Sequence, residues 1–327
     1  MRLIVTNGDA AVERMRAAGI DGEILPWRDV LHDGPVTDEE QLERLSQLRA
    51  AFIAKEFGVP HEEVALSFAE RDSTIRRHAE FDRIELWLEH DLYDQLQLIQ
   101  VLHFLAEEKR IDGVYLVQAD DYLGVQSEGQ IRKLAEMAAP VTIEQFELAC
   151  HAWRAFTSSD PTVLVAFAAH DIAALPYLKP ALLRLLAEFP DPIRGLSLTE
   201  ERVLQRLEEG PTRRGELFKA VVAQEDASFM GDASFFRRVD GLTFVPEPLV
   251  EGVEVPYTLI REPEKDTGYK AFADAILRLT PAGRRVLAGR LDHAMTNDVD
   301  RWIGGTRLRP ALLLRYDRNA GELIAPR

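Results

Sequence analysis

The chain has few means of bracing itself covalently. A single cysteine, Cys150, stands among 327 residues, so no internal disulfide can form, and such usage fits a reducing compartment. Apolar runs are short, and none approaches the roughly 18 uninterrupted residues that a membrane-spanning helix needs. The opening MRLIVTNGDAAVERM turns polar at Asn7, too early for a secretory leader. The expectation is a cytoplasmic protein with no membrane partner. The glycine signatures G-x-G-x-x-G and G-x-x-x-x-G-K-[ST] are absent too, as is the G-x-S-x-G turn that would make Ser73 or Ser127 a nucleophile.

Positive charge is scarce and unevenly spread. Residues 1–194 hold 19 Lys+Arg against 34 Asp+Glu, a balance of −15, whereas residues 195–327 hold 20 against 21, a balance of −1. Binding to a phosphate backbone needs clustered cations. Nucleic acid is therefore expected to find a partner only in residues 195–327.

What is present is strand–helix alternation. RLIVT (2–6), EILPW (23–27), residues 83–88 and DGVYLVQ (112–118) read as strands; helices are expected at 10–19, 37–57, 61–79 and 92–109. Such alternation implies a parallel, right-handed α/β sheet. We read residues 1–125 as a Rossmann-like α/β domain and residues 126–194 as a helical connector. Residues 195–327 read as a winged-helix-like α+β domain: a helix 200–209 capped by Thr199, helices 212–224 and 229–242 (the latter capped by Asp232), then strands across 244–255 and 257–260, and a closing hairpin.

Ligands of parallel sheets sit beyond the carboxyl ends of the strands. Here those ends carry Asn7-Gly8-Asp9, Arg28-Asp29 followed by His32, Glu89-His90-Asp91 with Asp94 and Gln95 in the next turn, and Asp120-Asp121. The bland reading of each acid is local: Asp9 and Asp91 as helix caps, Asp91 with Asp94 as a variant capping box, Arg28 with Asp29 as a pair. Together they are harder to dismiss. Two carboxylates about 6 Å apart repel by roughly 3 kcal/mol at an effective dielectric near 20, so convergence demands a cation, raised pKa values or a counter-charge. Hard oxygen ligands suit Mg or Mn. The expected metal set is Asp9, Glu89, Asp91 and Asp94. Asp9, Glu89, Asp91 and His90 are the catalytic candidates, and Asn7, Gly8, Arg28, Asp29, His32 and Gln95 the ligand contacts, with Arg28, His32 and His90 steering an anion.

Elsewhere the residues read as structure. Trp27 and Trp87 are core, Cys150 is a buried thiol, and His61, His78, His103, His170 and His293 show no ligand spacing. In the last domain Arg237 and Arg238 lie on the third helix, where a DNA reader would place its contacts. Arg213, Arg214 and the arginines from 284 to 315 offer a basic face.

The segments NGD (7–9), WRD (27–29) with Gly34-Pro35, and above all WLEHDLYDQLQL (87–98) resemble a bacterial family designated domain of unknown function eighteen thirty-five. LPYL (175–178), GLSLTE (195–200) and MGD (230–232) resemble the partner domain that commonly follows it. The resemblance implies the domain division and no particular activity. The functional expectation is therefore the site's own: binding, alone or followed by metal-assisted hydrolysis, of a phosphorylated or nucleotide-like small ligand at the acidic strand-end rim. The alternatives are a ligand-sensing regulator whose last domain contacts DNA or a protein, and an assembly adaptor without chemistry.

Overall fold

The computed structural model describes residues 1–39, 41–170, 172–259, 272, 274–310 and 313–324. Its centre is a five-stranded sheet in the order β2-β1-β3-β4-β5, from β1 (Arg2–Thr6), β2 (Glu23–Pro26), β3 (Arg83–Glu89), β4 (Val114–Ala119) and β5 (Ala139–Pro140). The first four strands are parallel, with Leu3 opposite Ile84 and Leu86 opposite Leu116; β5 is a short antiparallel edge. A mixed α/β fold of this kind fits the Rossmann-like reading, with the fifth strand reversed.

Both faces of the sheet are covered, which is why β3 is buried almost end to end rather than alternating. On one face Ile4, Trp87 and Val117 pack under α1 (Asp9–Ala17) and α5 (Glu128–Glu136) through Met15 and Ile131. On the other, Leu3, Leu86 and Leu116 meet α4 (Leu92–Glu107). The same apolar cluster continues through α6 (Ile143–Thr157), α7 (Pro161–Ala169) and α8 (Leu178–Leu186) to α9 (Leu198–Glu208), α10 (Arg214–Val222) and α11 (Asp232–Thr243). One core thus runs through all three segments of the sequence. No described helix is long and apolar enough to cross a membrane.

The loop from β2 to α2 (Leu42–Phe57) is gathered around one buried guanidinium. Arg49 donates to Asp29 Oδ1 at 2.8 and 3.0 Å, and to the carbonyls of Val30, Asp33 and Pro35. Asp29 therefore pairs with Arg49, and with Arg71 at 3.9 Å, not with its neighbour Arg28. At the other end of the chain, the hairpin of β9 (Arg301–Ile303) and β10 (Thr306–Leu308) docks its turn on this unit. Val36 N–H donates to Gly304 and Gly305 N–H to Phe156. A Cβ on Gly305 would lie 1.8 Å from the Thr157 carbonyl oxygen, so only glycine allows that approach. Asp300 accepts from Arg307, and Arg301 donates to Glu200.

Several local expectations are corrected. Residues 37–39 and 41 stay outside α2. Ser197, not Thr199, caps α9, because only Ser197 stands three residues before Glu200 and forms the reciprocal capping box. Gly231 is the N-cap of α11, with Asp232 inside the helix. Between 244 and 255 only Val250–Glu251 is strand, since Pro246 and Pro248 remove ladder donors. Tyr257–Leu259 is a 3-10 turn, and Ile260 lies outside the described residues. Cys150 is half-buried.

Removing a single partner from a buried ion pair typically costs about 3–5 kcal/mol. Arg49→Ala should lose that much in urea unfolding, and Arg49→Ala with Asp29→Asn should recover part of it. A loss under 1 kcal/mol would show that the guanidinium does not organise this loop.

Candidate functional site

The strand order reverses between β1 and β3, and a crevice opens beyond their carboxyl ends. β1 ends in Asn7 and Gly8. Gly8 is fully extended, and no atom lies within 4 Å of where its Cβ would be, so the backbone faces open space ahead of α1. β3 ends in Glu89, Asp91 caps α4 by accepting the Asp94 N–H at 3.0 Å, and Asp94 turns back to accept from the Glu89 N–H. The expected capping box of Asp91 and Asp94 does not form. Asp94 reaches past the cap into the strand.

This reversal brings Glu89, Asp91 and Asp94 together, with one oxygen from each within 4.8 Å of the others. All three are buried, Asp94 completely. Asn7 Nδ2 bridges Glu89 Oε1 at 2.8 Å and Asp94 Oδ2 at 3.1 Å, and Leu123 N–H donates to Glu89 Oε1 at 2.8 Å. Asp94 Oδ1 has no hydrogen-bond partner among the described residues. Among the described residues, no Lys or Arg forms an ion pair with any of the three. Burial is the main cause that pushes Glu89 up to about 8 and raises Asp91; burial with the Asp91 and Glu89 charges drives Asp94 well above the carboxylate range.

The trio opens on a cleft of about 850 Å³. The N-terminal unit supplies Asn7, Gly8, Asp9, Arg28, His32 and Tyr93; residues 228–234, leading into α11, supply the opposite wall with Phe229 and Met230. Asp9 sits at the mouth, well exposed, with Arg28 closing on it at 2.6 and 2.9 Å. That hydrogen bond lowers the Asp9 pKa. Asp9 is thus apart from the trio, in the first turn of α1 and not at its cap. Arg28 has a positive φ of 53°, a strained conformation for a non-glycine residue at the rim.

The other expected site residues scatter. Asp29 is buried beneath the loop on Arg49, and Gln95 lies behind Glu89, donating to its carbonyl at 2.7 Å. His90 turns its ring onto Tyr177 and lines a different hollow with Arg184 and Arg202. His32 lines the cleft, but burial drops its pKa to about 4; a neutral ring does not steer an anion by charge. Asp121 accepts from the Tyr122 N–H and Gln126, a local loop role. Sequence reasoning missed the Leu123 amide, Tyr93 and Tyr122, and the wall around Phe229. Tyr93 was signalled by its place between Asp91 and Asp94; the far wall had no signal in the first domain.

The arginines of α11 face inward. Arg237 pairs with Asp33 and with Glu56 at 2.7 Å, and Arg238 lies 3.9 Å from Glu188. Arg214 is buried against Asp240, Arg301 against Glu200, and Arg315 pairs with Asp292 at 2.6 Å. Much of the expected basic face is therefore paired. No protein-family model matches the chain, and no curated protein matches it.

Glu89 holds its proton to about pH 8 in the fold but only to about 4.3 when unfolded. A group raised in this way lends stability that is complete below its unfolded pKa and is lost as pH climbs through the folded one. In a chelator, the melting temperature should fall between pH 5 and 8. Asp94→Asn should flatten that fall and raise stability at pH 8 by about 1–3 kcal/mol. A variant melting below the wild type at pH 8 would contradict the burial of three competing acids.

Proposed function

We propose that the cleft binds a divalent cation on Glu89, Asp91 and Asp94, Mg or Mn by ligand type, and through it the phosphate of a small ligand. The observation that carries the reading is the buried trio: three converging carboxylates with no basic partner and one oxygen unmatched among the described residues, opening on a cleft of ligand size. A dication suits such a set because it relieves the repulsion that otherwise holds protons on it. Backbone N–H groups at the start of α1, beside Gly8, and the Arg28 guanidinium would take the remaining phosphate oxygens. In the hydrolytic form of the proposal, a bound cation would polarise the phosphate, water would attack phosphorus as the P–O bond to the leaving alcohol breaks, and the proton lost by the water would pass through a carboxylate of the trio to the departing oxygen.

The order α9, β6 (Thr212–Arg213), α10, α11, β7 (Val250–Glu251), β8 (Ile276–Leu279), with its antiparallel β6-β8-β7 sheet, supports reading this unit as winged-helix-like. Its third helix follows the cleft wall and pairs its arginines internally, which favours ligand closure over duplex reading. Membership of domain-of-unknown-function family eighteen thirty-five, which WLEHDLYDQLQL supports, belongs to the same proposal.

Calorimetric titration tests it. Mn²⁺ or Mg²⁺ should bind at micromolar to millimolar concentration with release of protons near pH 7, and Asp94→Asn should weaken binding at least tenfold. Absence of heat and of any thermal shift at 10-fold above about 1 mM metal would overturn the reading.

A further inference from the structure

His32 is a second feature of the cleft that the carboxylates do not explain. The residue is 5% exposed, and neither ring nitrogen has a hydrogen-bond partner among the described residues. Buried polar groups without partners are uncommon and costly, and this one lines the same cleft as the trio. The ring is held edge-on by Phe229 at 5.1 Å and 89°, and by Tyr93 at 5.9 Å and 63°. Its loop is fastened behind it by Arg49, which binds the carbonyls of Val30 and Asp33 on either side. An imidazole fixed this firmly, with both nitrogens free and flat apolar rings beside it, is built to meet something other than water.

We propose that His32 reads the uncharged half of the ligand, and that this half is a nitrogen heterocycle of the nucleobase class. The proposal deepens the cation-and-phosphate reading, on which it rests for the ligand's other end. Burial keeps the imidazole neutral, so one nitrogen donates and the other accepts. The two nitrogens point apart, so the edge of a base, which carries donors and acceptors on a planar ring, meets one of them. Phe57, Phe229 and Tyr93 offer aromatic surfaces to that ring, and the Ser228 and Ser234 residues on the far wall add polar capacity. An alkyl chain would leave both nitrogens unmatched. A cationic headgroup would find its complement at the carboxylates and not here.

Nucleosides, which lack phosphate, isolate this end of the cleft. Adenosine, guanosine, cytidine and uridine are titrated into the full chain in EDTA, with ¹⁵N-histidine NMR as the readout. At least one should bind and shift the His32 ring nitrogens. His32→Phe should weaken binding at least tenfold, with His32→Gln intermediate because its amide still donates and accepts. Wild-type and variant melting curves establish that each is folded; a misfolded variant leaves the wild-type His32 shifts to decide. No binding by any of the four, or binding that leaves the His32 nitrogens unmoved, would overturn the proposal. The two readings fail separately: nucleoside binding without Mn²⁺ binding removes only the cation site, and Mn²⁺ binding without nucleoside binding removes only the base pocket.

Discussion

Glu89, Asp91 and Asp94 repel one another, and the chain nevertheless buries them together. At 4.8 Å and an effective dielectric near 20, each charged pair would cost roughly 3 kcal/mol. The fold manages this with protons, with the Asn7 amide, with the Leu123 N–H and with the cap at α4. Each donor comes from a different strand end, so the site exists only when β1, β3 and β4 are correctly aligned. The constraint ties local structure directly to chemistry. The reverse turn at Glu89–Asp94 that opens α4 is also what sets the buried Asp94 carboxylate in the lining of the crevice.

Around that point the molecule separates charge that must be neutral from charge that must be paired. Asp29, Glu188 and Glu200 are as buried as the trio, but each faces guanidinium groups, from Arg49, Arg184 and Arg301. Those arginines hold Glu188 far below, and Glu200 down to about 2 against, the ordinary carboxylate range. Asp9 has Arg28. The contrast matters because burial alone is common to all of these acids. Only the trio combines burial, mutual proximity and the lack of a basic partner among the described residues.

The third segment takes part in this site by packing inward. α11 offers Arg237 to Asp33 and Glu56, so the residues just before it, Phe229 and Met230, are brought over the strand ends as a wall. His32 lies where the two halves meet, against a ring from each. The cleft wall and the paired arginines thus belong to α11 and its lead-in, and the helix that most invited a nucleic-acid reading is turned toward its own chain.

How much of this was legible depended on range. Strands 2–6 and 83–88, the helix after Asp91 and the acidic strand ends follow from periodicity and capping, which act over a few residues, so WLEHDLYDQLQL announced both its turn and its acids. The direction of β5, the separation of Asp9 from the trio, the withdrawal of Asp29 to Arg49 and the turning of His90 onto Tyr177 were not legible. Each is decided by a partner far along the chain, and a pattern of residue types carries no information about which of several arginines reaches a given acid. The sequence by itself determined an acidic rim on an α/β sheet. Tertiary structure alone decided which three acids are buried together and what faces them, because desolvation and Coulomb energy depend on distances that exist only after packing.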